Sequence, residues 1–245
     1  MMKYLSIFLF TFLNLFGGNF SHAATVTAAQ DPWPPFVTND PSMPGISVEI
    51  LTEAMKTQGH TVNFRNMPWA RALDSVKKGR IDILPAAWIN DERKQYLLFS
   101  SPYLFNELSY ISRASDNFSY SNLSSLKGKT VGIVRGYAYD PDFMKEPSIK
   151  RPESIDIETN IKKLKNNRVD LTIEDKIVAL STIKRLNMSP GDFIFSQPIS
   201  KKSLYVTIGI SNPNGKKYMN AYEKGLQIIK KNGTFDKILS KYGIK

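Results

Sequence analysis

The chain has 245 residues, 42% hydrophobic and 22% charged, enough apolar content for one large or two small globular units and too much for a disordered chain. Its formal net charge is +11, and because Lys3 is the only charge before Ala24 the remainder carries +10. There is no cysteine, which excludes a disulfide framework and a lipid-attachment cysteine, and the lysines are interleaved with acids, as in VKKGRID, KNNRVD and KKNGTFDK, which describes a solvated surface rather than a nucleic-acid face.

The first segment, MMKYLSIFLFTFLNLFGGNFSHAAT, has a lysine, an apolar run from Tyr4 to Phe16, a Gly17-Gly18 break and small residues at Ser21 and Ala23. That is the pattern of a secretory leader, with cleavage expected after Ala23. The apolar run is shorter than the roughly 20 residues a spanning helix needs. The expected location is the periplasm of a Gram-negative cell.

A short β-prone run at 25–28 stops at QDPWPPF, where three prolines in four residues forbid regular structure. Residues 45–59 carry apolar positions at helical spacing, and TVNFRNMP reads as the next strand. In WARALDSVKKGRIDILPAAW, residues 69–78 suit a helix, Gly79 a left-handed cap, and 81–86 a buried strand. LKNNRVDLTIED repeats that ending, with Asn167 in the place of Gly79. Two copies of one helix-turn-strand element within alternating strands and helices predict two α/β lobes. ELSYISRAS (107–115) carries the chain out of the first lobe and SLYVTIGIS (203–211) brings it back. Residues 24–113 and 206–245 then form one lobe and 114–205 the other, with a ligand site in the cleft between them.

These stretches, in order, resemble the type II periplasmic solute-binding proteins, in particular family 3, which serves polar amino acid ABC importers. The resemblance is carried by DPWPPF, GRIDIL, DERKQYLLFSSPY, LKGKTVGIVRG, NRVDLTIED and NGTFDKILSKYG, and MPWARAL is typical of a diverged subgroup. It implies a periplasmic binding protein-like II fold, α/β and two-lobed, with two crossover hinge strands. It also implies a small-molecule solute, an inner-membrane ABC permease as partner, no cofactor and a monomer.

Arg93 is the central candidate. Asn90 is a good N-cap, so Arg93 falls in the first turn of a helix expected to run to Leu98, where free N–H groups favour an anion. A guanidinium there offers a planar fork to a carboxylate, and in the resembling family this arginine grips the ligand's α-carboxylate. The alternative is a solvated charge beside Asp91 and Glu92. Asp175 matches the family's receiver of the α-ammonium, and its other role is the N-cap of a helix at 176–186. Trp33 and Trp69 match aromatic walls that stack on the ligand, and either ring also suits the core.

Three features depart from the family. Ala86 and Trp88 precede the arginine where small or hydroxyl residues are usual, and Tyr137, Ala138 and Tyr139 follow Gly136 where serine or threonine is common. Gly136 can still offer backbone N–H groups. An ordinary α-amino acid therefore fits less well than a larger or more aromatic solute, unless Trp88 points into the first lobe's core.

Other chemistries have little to stand on. There are two histidines, one of them His22 in the leader, and His60 reads as a turn residue. No phosphate loop occurs. A few members of the fold are dehydratases, for which Glu174 or Asp175 would be the acid, and a free sensor for a membrane receptor is the third class.

Overall fold

The computed structural model describes residues 24–244, so the leader reading lies outside the described residues. The first elements are β1 (Thr25–Gln30), α1 (Ile46–Thr57), β2 (Thr61–Asn66), α2 (Trp69–Lys77) and β3 (Ile83–Ala87). They are followed by α3 (Asp91–Lys94), β4 (Leu97–Phe99) and β5 (Leu104–Arg113). Next come β6 (Val131–Val134), α4 (Pro141–Lys145), β7 (Glu153–Ser154), α5 (Ile157–Lys165), β8 (Leu171–Asp175) and α6 (Lys176–Arg185). The chain closes with β9 (Phe193–Phe195), β10 (Ser200–Gly209), α7 (Gly215–Lys231) and α8 (Thr234–Lys241).

β1 lies between β2 and β3 in parallel register, and β10 adds antiparallel to β3 and β4. The second lobe is built on β8, which pairs in parallel with β6 and antiparallel with β5. β10 joins the two sheets, its first half (Ser200 to Leu204) pairing with β5 and its second half with β3 and β4. β5 and β10 are thus the two crossover strands. The pairing of Leu108 to Ser112 with β8 puts that stretch in the second sheet, upstream of the boundary expected at residue 113.

Each sheet is covered on both faces, as parallel strands require. In the first lobe α1 and α7 bury Ile50, Leu51, Tyr222 and Leu226 on one side, and α2 buries Trp69, Ala72 and Val76 on the other. In the second, α5 and α6 cover one face with Ile161, Leu164 and Ile183, and Tyr110, Val131, Ile133, Tyr139 and Phe143 fill the other.

The repeated element has a shared function in both lobes. Asp82 accepts from the backbone N–H and hydroxyl of Thr27 (2.8 and 2.7 Å) on the neighbouring parallel strand, and Asp170 accepts from the Thr130 N–H (2.8 Å) just before β6. Gly79 and Asn167 precede them in the left-handed conformation, φ 68° and 56°, as expected. The aspartate of GRID and NRVD is a clip that fixes strand register.

One expectation is corrected. The helix expected to reach Leu98 stops at Lys94, because residues 97–99 pair with β10 and that partner replaces further helical bonds. His60 closes the turn after α1, its N–H donating to the Met55 carbonyl (3.0 Å). It is buried, its Nδ1 accepts from the Ala24 N–H (3.3 Å), and its ring meets Tyr218 edge-on at 5.7 Å.

The tightest helix contact lies between α1 and α7, where a Cβ at Gly225 would run into the Ala54 carbonyl. Gly225→Ala gains at most ~1 kcal/mol of helix propensity and forces the helices apart, so a net loss of ~1–3 kcal/mol is expected. Urea unfolding checks it, and an unchanged midpoint would show that α7 shifts freely.

Candidate functional site

Arg93 is 2% exposed, which removes it from the solvated surface. The Asn90 side chain accepts from the Arg93 N–H (2.8 Å) and caps the turn, and this orients the side chain inward. The guanidinium donates to the carbonyl of Trp88 (2.5 Å) on its own lobe and to that of Gly136 (2.7 Å) on the other. It also lies 5.0 Å from the Trp69 ring centroid. Burial pulls its pKa down to about 10, so it stays protonated at neutral pH.

The tryptophans surround it. Trp33 leaves β1 in the proline-locked loop and donates to Glu174 Oε1 (3.1 Å) of the second lobe. Trp69 opens α2 after Pro68 and donates to the Gly136 carbonyl (2.9 Å). Trp88 follows β3 and donates to Asn106 Oδ1 (2.9 Å). The Tyr137 ring stands edge-on to Trp69 and Trp88, with centroids 5.8 and 5.3 Å away, and its hydroxyl donates to Asp31 Oδ2 (3.1 Å).

Between the lobes remains a cavity of about 20 Å³, which Trp33, Trp69, Ala86, Trp88 and Arg93 line from one side and Tyr137 from the other. That is room for a water and too little for an amino acid, so any solute enters only when the lobes part. Gln30, Ala87 and Leu204 complete the lining and were not anticipated. Trp33 and Trp88 belong to the apolar core as well, so each ring is both core and wall.

The remaining expected residues lie elsewhere. The Gly136 (φ 77°) carbonyl accepts from Trp69 and Arg93 across the cleft. Ala138 and Tyr139 are buried, the Tyr139 oxygen accepting from the Val134 N–H (2.9 Å) in the second lobe's core. Asp175 caps α6, with Oδ1 accepting from the N–H groups of Ile177 and Val178 (2.8 and 3.0 Å) and Oδ2 from that of Glu107 (3.0 Å). Burial raises its pKa, against the pull of those bonds. Its acceptor oxygens are in use inside the protein, and it does not line the cavity.

The acids that reach across the cleft are its neighbours in sequence and space. Glu174 is fully buried, and burial drives its pKa well above the carboxylate range despite bonds from the Asp175 N–H and Trp33. Asp31 is pushed up to about 7, by burial first, with the Tyr137 hydroxyl opposing. Asp31 Oδ1 and Glu174 Oε2 have no partner among the described residues. A usable signal for Asp31 existed, since it sits at the end of β1 where α/β clefts gather their ligands.

The family of bacterial extracellular solute-binding proteins, family 3, matches residues 25–245. The chain belongs to that family. Among solved structures, an ancestral arginine-binding protein bound to arginine superposes with a TM-score of 0.79 at 25% identity, over 89% of this chain and 98% of that one. The expected fold is thereby established: a two-lobed periplasmic binding protein-like α/β architecture. A putative ABC transporter arginine-binding protein 2 of Escherichia coli is 25% identical over 88% of each chain. A probable histidine-binding protein of Neisseria gonorrhoeae is 25% identical over 82% of this chain and 75% of its own length. All three indole N–H groups at this chain's cleft are bound within the protein.

Because Trp88 is 5% exposed and hydrogen-bonded, it supports the fold as well as the wall. Trp88→Ala should lower stability by ~3–5 kcal/mol. Trp88→Phe, which removes the N–H and part of the bicyclic ring, should cost less than the alanine variant, ~1–3 kcal/mol. Denaturant titration of both variants checks this, and a loss under 1 kcal/mol in the alanine variant would make Trp88 a wall only.

Proposed function

We propose that this chain captures a small polar solute, amino-acid-like or carboxylate-bearing, between its lobes and delivers it to an ABC permease of the inner membrane. It works as a periplasmic monomer whose leader ends at Ala23. The lobes are built from 24–113 with 206–245 and from 114–205, and the crossover strands β5 and β10 run between them. The β5 and β10 pairing at Leu104 and Leu204 marks where the sheets hand over, so the hinge is best sought there. The solute leaves unchanged, in keeping with a family and relatives named as binding proteins.

The observation that carries this reading is Arg93. A protonated guanidinium is buried in the cleft with one neutral carbonyl acceptor on each lobe. A carboxylate is the stronger acceptor, giving shorter bonds roughly twice as strong as neutral ones. A solute that brings one can replace the Gly136 carbonyl when the lobes part, and then be enclosed as they close. The indole walls suit an aliphatic stem, a planar group or a cation. Ala86, Trp88 and Tyr137 supply no small hydroxyl beside Arg93, so the common amino acids are expected to bind weakly or not at all.

Denaturing protein purified without added solute and identifying what is released by mass spectrometry gives the ligand. With it, Arg93→Ala should weaken binding by ~2–5 kcal/mol, and Arg93→Lys should recover only part of the loss, lacking the fork. Unchanged affinity in the alanine variant by calorimetry would overturn the role of Arg93.

A further inference from the structure

Two of the contacts that cross the cleft end on carboxylates, and they are reciprocal. Trp33 of the first lobe donates to Glu174 of the second, and Tyr137 of the second donates to Asp31 of the first, each at 3.1 Å. Each lobe therefore supplies one acid and one aromatic donor. Both acids are enclosed, and each has one oxygen without a partner among the described residues.

Among the described residues, no Lys or Arg forms an ion pair with either acid. Asp31 is acted on by Asp156 and the Tyr137 hydroxyl, and Glu174 by Asp175 and Asp31, with Tyr139 and Tyr137 nearby. On the outer side Asp31 meets Pro32, Asn66, Pro68, Ile155 and Asp156. Arg93 is bound to the Trp88 and Gly136 carbonyls instead.

We propose that the Asp31–Tyr137 and Glu174–Trp33 pairs form an interlobe latch that closes with uptake of protons by the two acids, so that closure is favoured as pH falls. Two ionised carboxylates enclosed together without a cation would be strongly unfavourable. The protonated form fits. Its carbonyl oxygen still accepts from the indole or the phenol, and its proton sits on the oxygen that otherwise lacks a partner. When the lobes part, water reaches both groups, they return towards the ordinary carboxyl value of about 4, and the protons go to solvent.

The direction follows from linkage. Both acids have raised values in the closed form, so the closed state is fully favoured below about pH 4, and the closed-to-open ratio falls roughly tenfold per pH unit for each acid as pH rises. For Asp31 the fall ends near its closed-state value of about 7, and for Glu174 it continues higher. The latch rests on the solute-binding reading only for its purpose, and its test uses no solute.

All three tryptophans of the chain line the cavity, so their emission reports closure. Small-angle scattering gives the radius of gyration independently. From pH 5 to 8 with no solute added, the protein is expected to become less compact and its emission to shift red, with more than about a hundredfold fall in the closed-to-open ratio. The double variant Asp31→Asn, Glu174→Gln keeps the acceptor oxygens and cannot titrate, so it should stay compact throughout. If that variant does not fold by circular dichroism, each single variant should show about half the wild-type pH slope. A radius and emission that do not change with pH in the wild type would overturn the latch, as would a folded double variant that follows the wild-type profile or single variants with the wild-type slope. A chain that closes with pH yet binds nothing in calorimetry leaves the latch standing and removes the solute reading.

Discussion

A buried guanidinium must find acceptors wherever the chain can offer them, and Arg93 finds one on each lobe. The consequence reaches well beyond one side chain. The Gly136 carbonyl that accepts from Arg93 also accepts from the Trp69 indole, so a single backbone oxygen of the second lobe holds two groups of the first. Removing either donor leaves the other in place, but moving Gly136 releases both. The loop after β6 thus carries two of the contacts between the lobes on one oxygen. That loop turns at a glycine with φ 77°, a conformation in which an L side chain is strained.

The scaffold that brings these groups within reach is built twice. In each lobe an aspartate after a left-handed residue clips its strand to the parallel neighbour, Asp82 to Thr27 and Asp170 to Thr130. The clip fixes register at the start of β3 and β8, and register at the start decides what stands at the end. The ends of β1, β3, β6 and β8 are where Gln30, Trp88, Gly136 and Glu174 lie. The acidic residue of the repeated motif is thus structural in both copies, and it acts on the cleft only by setting the length and phase of the strands that reach it.

Much of this was legible in the sequence because it depends on local chemistry. The order of strands and helices followed from periodicity, and the αL positions from Gly79 and Asn167. Trp33 and Trp69 were expected at the cleft from their match to the family's aromatic walls. What was hidden depended on long-range partners. Nothing local distinguishes residues 97–99 as a strand rather than the end of a helix, since only β10 decides it. The burial of His60 was not legible because the groups that bury it, Tyr218 and the Ala24 amide, are far away in sequence. Tyr137 and Tyr139 were read together, yet the hydroxyl of the first crosses the cleft to Asp31 and that of the second meets Val134 in the core.

The pair Glu174 and Asp175 shows why a single position matters at a strand end. Successive residues on a strand point to opposite faces, so only one of the two can look towards the indole of Trp33. Asp175 also stands where α6 begins, and its carboxylate satisfies two N–H groups of the first turn that would otherwise have no acceptor. An acid committed to a helix end, with its second oxygen on the Glu107 amide, has little capacity left for anything else. Glu174 has no such duty. One oxygen bridges the lobes and the other is unpartnered, enclosed beside residues that are themselves acidic or aromatic. Asp175, the position that motif matching favours, has both oxygens bonded, and Glu174 one residue before it has the incomplete set. An incomplete set of bonds on a buried group is the stronger physical sign of a role, because such a group is unfavourable for stability alone.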